Sequence, residues 1–268
     1  VRLRLTNMEV SSLSREGYKS RANKTVWIFT IVYFGITIAA FLCYWLAGMD
    51  SFDAINHAFS VVSTGGFSTK DLSIATYNSA AINLITMFFM LIASIHFGLI
   101  FMVFATRSLK PLNNPVLKFY VLSIVISALL VSLSLKFQGT CFTWGQSLMT
   151  GFFHVISAIS TTGFAISDNN TWPLFACIIT IIITIPCGMA GSTTGGIKAD
   201  RMLLIFKTIG QQVKNVVHPS SINRLHIGNH ILDKDEIYPH VVFMCLYFIT
   251  IGASVALTIM SGMDVQNA

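Results

Sequence analysis

The 268-residue chain is 54% hydrophobic and only 10% charged, with 17 Lys and Arg against 11 Asp and Glu and a net charge of +6. Soluble globular domains carry about 25% charged residues, so this composition excludes a water-soluble core of this size and places the chain in a lipid bilayer. Its five cysteines (Cys43, Cys141, Cys177, Cys187, Cys245) share no metal-ligand spacing and read as small apolar residues, with neither a disulfide framework nor a zinc site.

Residues 1–25 form a polar lead-in rich in Lys and Arg. Apolar stretches then follow at 26–47, 80–105, 119–135, 172–190 and 241–260, and His96 is the one residue in them that can carry a positive charge. A helix rises ~1.5 Å per residue and the hydrocarbon layer is ~30 Å thick, so each stretch is expected to span it. The apolar runs at 52–62 and 146–159 are different. The first makes a helix of about 17 Å, which reaches roughly halfway through a bilayer. Each short run ends in a small-residue loop: Ser63-Thr64-Gly65-Gly66-Phe67 after the first, Ser160-Thr161-Thr162-Gly163-Phe164 after the second. At the same offset His57 matches His154, Ser60 matches Ser157 and Asp71 matches Asp168, so the chain is expected to be built twice on one plan.

The stretch from 172 is expected to break at Pro186-Cys187-Gly188-Met189-Ala190-Gly191-Ser192-Thr193-Thr194-Gly195-Gly196, because Pro and clustered Gly unwind a helix. It resumes as a basic helix carrying Lys198, Arg201, Lys207 and Lys214. The expected units are a cytoplasmic lead-in (1–25) and a span, half-helix, loop and span (26–110). A second such unit with a broken last span and a cytoplasmic helix (111–217) follows, then a cytoplasmic linker (218–237) and the first span of a further unit (238–268). Gly262-Met263-Asp264 repeats Gly48-Met49-Asp50, so the chain is expected to run on into another half-span. With both ends of each unit on one side, that side holds every Lys and Arg except Lys70 and Lys136, which the positive-inside rule assigns to the cytoplasm. The basic excess is thus a topological signal, and no nucleic-acid partner is expected. The outer side holds Asp50, Asp53, Asp71, Asp168 and Asp264 and attracts cations.

Non-helical backbone at membrane depth survives only where protein or a wet cavity satisfies its polar groups. Glycines let successive carbonyls turn towards one axis, and such carbonyls replace the water shell of a monovalent cation. The C-terminal, negative end of each short helix points the same way and favours a cation. A phosphate loop at 191–198 is set aside, because the Gly-Lys-Ser/Thr ending is missing and an apolar span precedes it. His57 and His154 read as structural residues at the heads of the half-helices, and His96 as a hydrogen-bonded core histidine.

The half-spans, the STGGF and STTGF loops, AGSTTGGIK in the broken span and Val217-His218-Pro219 after it together resemble the Trk/Ktr/HKT superfamily of potassium transporters, in its TrkH/TrkG branch. The resemblance covers essentially the whole chain. It implies an all-helical polytopic membrane fold in which span–pore-helix–span repeats surround one ion pore in the bacterial inner membrane, with transport and no enzymatic step. It implies a K⁺ filter at Ser63, Thr64, Gly65, Gly66, Phe67, Ser160, Thr161, Thr162, Gly163 and Phe164. Gly66 and Gly163 would be the key glycines, and the carbonyls of Thr64, Gly65, Gly66, Thr161, Thr162 and Gly163 would contact the ion. The broken span would be a gate, at Gly188, Gly191, Ser192, Thr193, Thr194, Gly195, Gly196 and Lys198, and on the residues Lys198 and Arg201 fit either its cytoplasmic mouth or ordinary positive-inside anchors. It further implies a homodimer, a cytoplasmic TrkA-type nucleotide-binding regulatory subunit docked on 197–217, and no cofactor besides permeant K⁺. Two other classes stay open on the residues alone: a secondary transporter with broken helices, and an intramembrane enzyme.

Overall fold

The computed structural model describes residues 22–138, 143–218, 225–227, 230–232 and 234–262. The lead-in to 21, Cys141, Pro219 and the ending at 263–268 lie outside them. Two compact units divide the chain at Asp200–Arg201.

Among the described residues, the regular structure of the first unit is all helical. α1 (Ala22–Leu46) leads to the half-helix α2 (Ser51–Val62), and α3 (Ala80–Ser94) and α4 (Phe97–Thr106) follow it. α5 (Pro115–Gln138) leads to the second half-helix α6 (Trp144–Ile159) and then α7 (Leu174–Ile183). Local chemistry sets the short helices. α1 stops where Gly48 adopts φ 98°, letting Met49 N–H donate back to Tyr44 C=O at 3.1 Å. Asp50 then caps α2 by accepting from Phe52 N–H at 3.3 Å. Thr143 and Gln146 form a reciprocal capping box at the head of α6.

Packing ties the repeats together. α5 lies along α6 and α7, and α1 lies along α2 and α4. A Cβ at Gly151 on α6 would sit 2.2 Å from Ser132 Oγ on α5, so the close approach of that pair requires a glycine. Buried Tyr44 donates to Thr86 Oγ1 at 3.0 Å, joining α1 to α3. Trp27, Phe34, Ile38 and Leu42 on α1 and Leu122, Ile126 and Leu129 on α5 are exposed. Such apolar rows are the surface that lipid covers.

In the second unit a two-stranded antiparallel hairpin, β1 (Leu225–Ile227) and β2 (His230–Leu232), pairs His226 with Ile231. α8 (Ala199–Val217) precedes it, opening on the last two residues of the first unit, and α9 (Lys234–Met260) follows. The Arg201 guanidinium lies over the Phe243 ring at 4.1 Å, a cation–π contact.

Among the described residues, three helices, over Val26–Leu46, Pro115–Gln138 and Ile237–Met260, are long and apolar enough to cross a membrane. Apart from that one short hairpin, the fold is that of an all-helical polytopic membrane protein. Two of the five expected spans differ from the sequence reading. The stretch 80–105 is not one helix: α3 and α4 meet at a 97° bend over Ile95 and His96. The stretch 172–190 keeps only the 10 residues of α7 as helix before it unwinds.

Candidate functional site

Both Gly loops leave their half-helices by one backbone route. Ser63 and Ser160 end the helices in right-handed geometry. Thr64 and Thr161 then turn left-handed at φ 53° and 54°, and Gly66 and Gly163 do so again at 69° and 85°. The turn sends the amides backwards. Thr64 N–H donates to Val61 C=O at 3.3 Å and Gly65 N–H to Ser60 C=O at 2.8 Å. In the second copy Thr161 N–H donates to Ala158 C=O and Thr162 N–H to Ser157 C=O, both at 3.0 Å.

The carbonyls behave in the opposite way. Among the described residues, no hydrogen bond reaches the backbone oxygens of Thr64, Gly65, Gly66, Thr161, Thr162 or Gly163. Donors turned back and acceptors left over make a surface that suits a cation and repels an anion. The two loops also touch. A Cβ on Gly66 would lie 1.8 Å from Thr162 O, so the strands meet where only a glycine fits.

The phenylalanines that close the two motifs part company. Phe164 is 1% exposed, stacks on His57 of the preceding repeat at 5.9 Å, and its carbonyl accepts from Ser157 Oγ at 2.7 Å. Phe67 is 82% exposed. Both half-helix histidines brace the segments after their loops. His57 bridges Asp53 C=O (2.8 Å) and Ser68 Oγ (2.9 Å), and His154 Nε2 lies 3.2 Å from Ser167 Oγ.

The broken span lies against both loops. After α7 the chain turns at Cys187 (φ 50°), Gly191 (79°) and Gly196 (74°), and Lys198 (78°) leads into α8. Its polar backbone pairs with the bend between α3 and α4. Met189 N–H donates to Ser94 C=O at 2.9 Å, and Phe97 N–H donates to Gly191 C=O at 3.0 Å. Thr193 donates to Ala93 C=O from both its amide (3.4 Å) and its hydroxyl (3.1 Å). Each break therefore supplies the partners the other lacks, which is the condition for unwound backbone inside a bilayer. Gly191 has its own reason to be glycine: a Cβ there would meet the His96 ring at 2.8 Å. His96 itself caps α4, accepting from Gly98 N–H at 2.8 Å.

Buried Asp200 accepts from Ala190 N–H at 2.6 Å and anchors the start of the loop, while Ala199 N–H donates to Gly188 C=O at 2.9 Å across its base. Lys198 Nζ donates to the carbonyl and the hydroxyl of Thr194. At the loop's far side, Thr64 Oγ1 donates to Thr193 C=O at 3.1 Å, and Gly195 N–H donates to Thr161 Oγ1 at 2.9 Å. Residues 63–67, 160–164 and 188–198 thus form one continuous site. Ser94, His96 and Asp200 were not singled out as loop partners from sequence; the clue available was a Ser and a His three positions before and one position before Phe97 in an otherwise apolar run.

A family model described as TrkH, a cation transport protein, matches residues 2–266. The chain belongs to the TrkH family. It is similar to the Trk system potassium uptake protein TrkH of Escherichia coli K12, 34% identical over 245 residues, or 90% of this chain and 50% of that one. It also resembles the Trk system potassium uptake protein TrkG of the same strain, 32% identical over 211 residues, or 78% of this chain and 43% of that one. Among solved structures it matches the potassium transporter TrkH from Vibrio parahaemolyticus with a TM-score of 0.87 and 31% identity, over 94% of this chain and 55% of that one. The chain spans about half the length of the TrkH relatives it matches.

One carboxylate expected on the outer side of this TrkH-family chain is already occupied. Asp53, in the first turn of α2, accepts from Thr69 Oγ1 (2.7 Å) and Tyr77 OH (2.9 Å) and pairs with Lys70 Nζ (3.0 Å). The Thr69 hydroxyl, with help from Lys70 and Tyr77, holds its carboxyl down at about 2. A depressed carboxyl contributes stability above its unfolded pKa of about 3.9 and loses it as pH falls towards the folded value. Asp53 is therefore a brace at every physiological pH and adds little to an outer cation-attracting field. Asp53→Ala leaves Thr69 and Tyr77 without their shared acceptor and is expected to cost about 2–3 kcal/mol, read as a lower Tm of the purified protein.

Proposed function

We propose that this chain forms part of a transporter that takes up potassium across the bacterial inner membrane, with the paired Gly loops as its ion filter and residues 188–198 as its gate. The observation that carries this reading is the polarity of the loops: their amides turn back to the half-helices while six carbonyls of the two strands accept no hydrogen bond among the described residues. Carbonyl oxygens are the ligands a dehydrated K⁺ needs, and charge-free loops avoid binding it too tightly to release. The names of the similar proteins, potassium uptake proteins and a potassium transporter, support the choice of ion. The gate reading is supported by the loop's bonds to Thr64 and Thr161, and by the Lys198 ammonium bound to Thr194 directly behind them. A fixed ammonium at that depth repels an approaching cation.

On this reading the protein transports and does not catalyse, and K⁺ is cargo. Its partners are the bilayer, a second copy in a homodimer, and a TrkA-type nucleotide-binding subunit. The basic α8, with Lys207 and Lys214, is the docking element proposed for that subunit. The test is made in the full-length protein, in cells without other potassium uptake. Gly163→Ser is expected to lower K⁺/Na⁺ discrimination, because a side chain on a residue at φ 85° forces its carbonyl to move. Unchanged discrimination in both Gly163→Ser and Gly66→Ser would remove these loops from the filter.

A further inference from the structure

Thr64 and Thr161 stand out on backbone geometry alone. They are β-branched residues held at φ 53° and 54°, a region such residues occupy rarely and at a cost. Glycine would take this conformation freely, and glycines stand one or two positions away. The chain nevertheless places threonine at this position in both repeats. A strained residue used twice calls for a task that its side chain performs.

The hydroxyls supply that task. Thr64 Oγ1 reaches across 129 positions of sequence to Thr193 C=O (3.1 Å), sharing its single proton between that carbonyl and the nearer Ser63 C=O (2.7 Å). Thr161 Oγ1 reaches across 34 positions and accepts from Gly195 N–H (2.9 Å). One hydroxyl donates and the other accepts, on either side of Thr194, whose own carbonyl and hydroxyl are taken by Lys198. Residues 193–195 are thus held from both Gly loops at once. The tied atoms belong to the residues whose carbonyls lie at the start of each candidate ion-binding strand. Among the described residues, no other side chain of the two Gly loops hydrogen-bonds the broken span: Ser63 bonds Ser60, and Ser160 bonds Ser157 and Thr162.

We propose that Thr64 and Thr161 are paired latches that couple the gate to the filter, so that residues 193–195 leave the pore only when both hydroxyl bonds break. The inference rests on the filter-and-gate reading above and adds the contact that joins its two halves. Opening then releases the two left-handed threonines together, and the ion-binding strands relax in the same event. Thr64 and Thr161 act on the ion through their backbone and on the gate through their hydroxyls. They are positioning residues in the second role.

The experiment measures basal K⁺ flux and K⁺/Na⁺ selectivity of the full-length protein in proteoliposomes. Thr64→Val and Thr161→Val keep the β-branched shape and lose the hydroxyl. Each removes one neutral hydrogen bond from the closed state and is expected to raise basal flux about fivefold, with a larger rise in the double variant. Thr64→Ser and Thr161→Ser keep the hydroxyl and are expected to raise flux less than the matching valine variants, a difference that a purely steric role for these residues would not give. Should a valine variant fail to insert, alanine takes its place, since it loses the hydroxyl and also the β-branched strain. Basal flux equal in the Val, Ala and Ser series overturns the latch. Gly163→Ser and Gly66→Ser separate the two claims. Altered selectivity in either with unmoved flux in the Val series leaves the filter standing and sinks the latch, whereas raised flux in the Val series with unmoved selectivity in both glycine variants sinks the filter and keeps the hydroxyl ties as gate contacts.

Discussion

Gly66→Ala is expected to cut K⁺ uptake by at least ~30-fold, while Gly163→Ala leaves a folded and inserted transporter. The two glycines are equivalent in the repeat, and both sit at positive φ, 69° and 85°. An alanine at either pays the left-handed penalty of roughly 1–2 kcal/mol. Their surroundings then separate them. A Cβ on Gly66 lies 1.8 Å from Thr162 O and 2.9 Å from Thr162 C, which are backbone atoms with no rotamer to move. A Cβ on Gly163 meets nothing within 4 Å. Relieving the first contact means separating the two Gly loops, and overpacking of that kind costs about 1–3 kcal/mol more. With every 1.4 kcal/mol worth tenfold, the sum exceeds a ~30-fold loss if it falls on the transport step. Rubidium uptake by the full-length variants at matched membrane levels checks this. Equal losses in the two variants would mean that the loops do not meet at Gly66 and Thr162.

Much of the framework of this candidate site is legible in the sequence alone. The half-helices announce themselves by length, since 12 residues for α2 and 16 for α6 fall short of a span. The loops announce themselves by repetition, and the broken span by Pro186 and its glycines. The bend at Ile95 and His96 was not legible, for a physical reason. No proline stands there and the run is apolar, so local propensity favours continuous helix. The bend is stabilised from outside, by Met189, Gly191 and Thr193 of a segment about a hundred positions away in sequence. Phe67 and Phe164 make the same point. Their local sequences match, yet one is 82% exposed and the other 1%, because only Phe164 has His57 of the other repeat beside it. Asp53 likewise read as part of an outer acidic field until Thr69, Tyr77 and Lys70 were found around it.

Deleting residues 192–195 is expected to raise K⁺ flux by tenfold or more without unfolding the protein. The reason lies in how the loop is closed. Gly188 C=O and Ala199 N–H are bonded at 2.9 Å, so residues 189–198 leave and return to one point, in the manner of a compact Ω-loop. Shortening the tip does not require α7 or α8 to move. The bonds that secure the bend remain near the base: Met189 to Ser94, and Phe97 to Gly191. Ala93 C=O loses Thr193, a cost of ~1–3 kcal/mol if no water replaces it. What disappears is everything that reaches the Gly loops, namely the Thr193 contact to Thr64 and the Gly195 contact to Thr161. Thr194, which holds the Lys198 ammonium in place, goes with them. The obstruction is therefore removed and the Lys198 ammonium loses its Thr194 partner, while the carbonyls of the proposed filter keep their helix-terminal geometry. Flux should rise with K⁺/Na⁺ selectivity largely retained. A deletion variant that inserts normally but conducts no more than the parent would show that this loop supports the bend and does not close the pore.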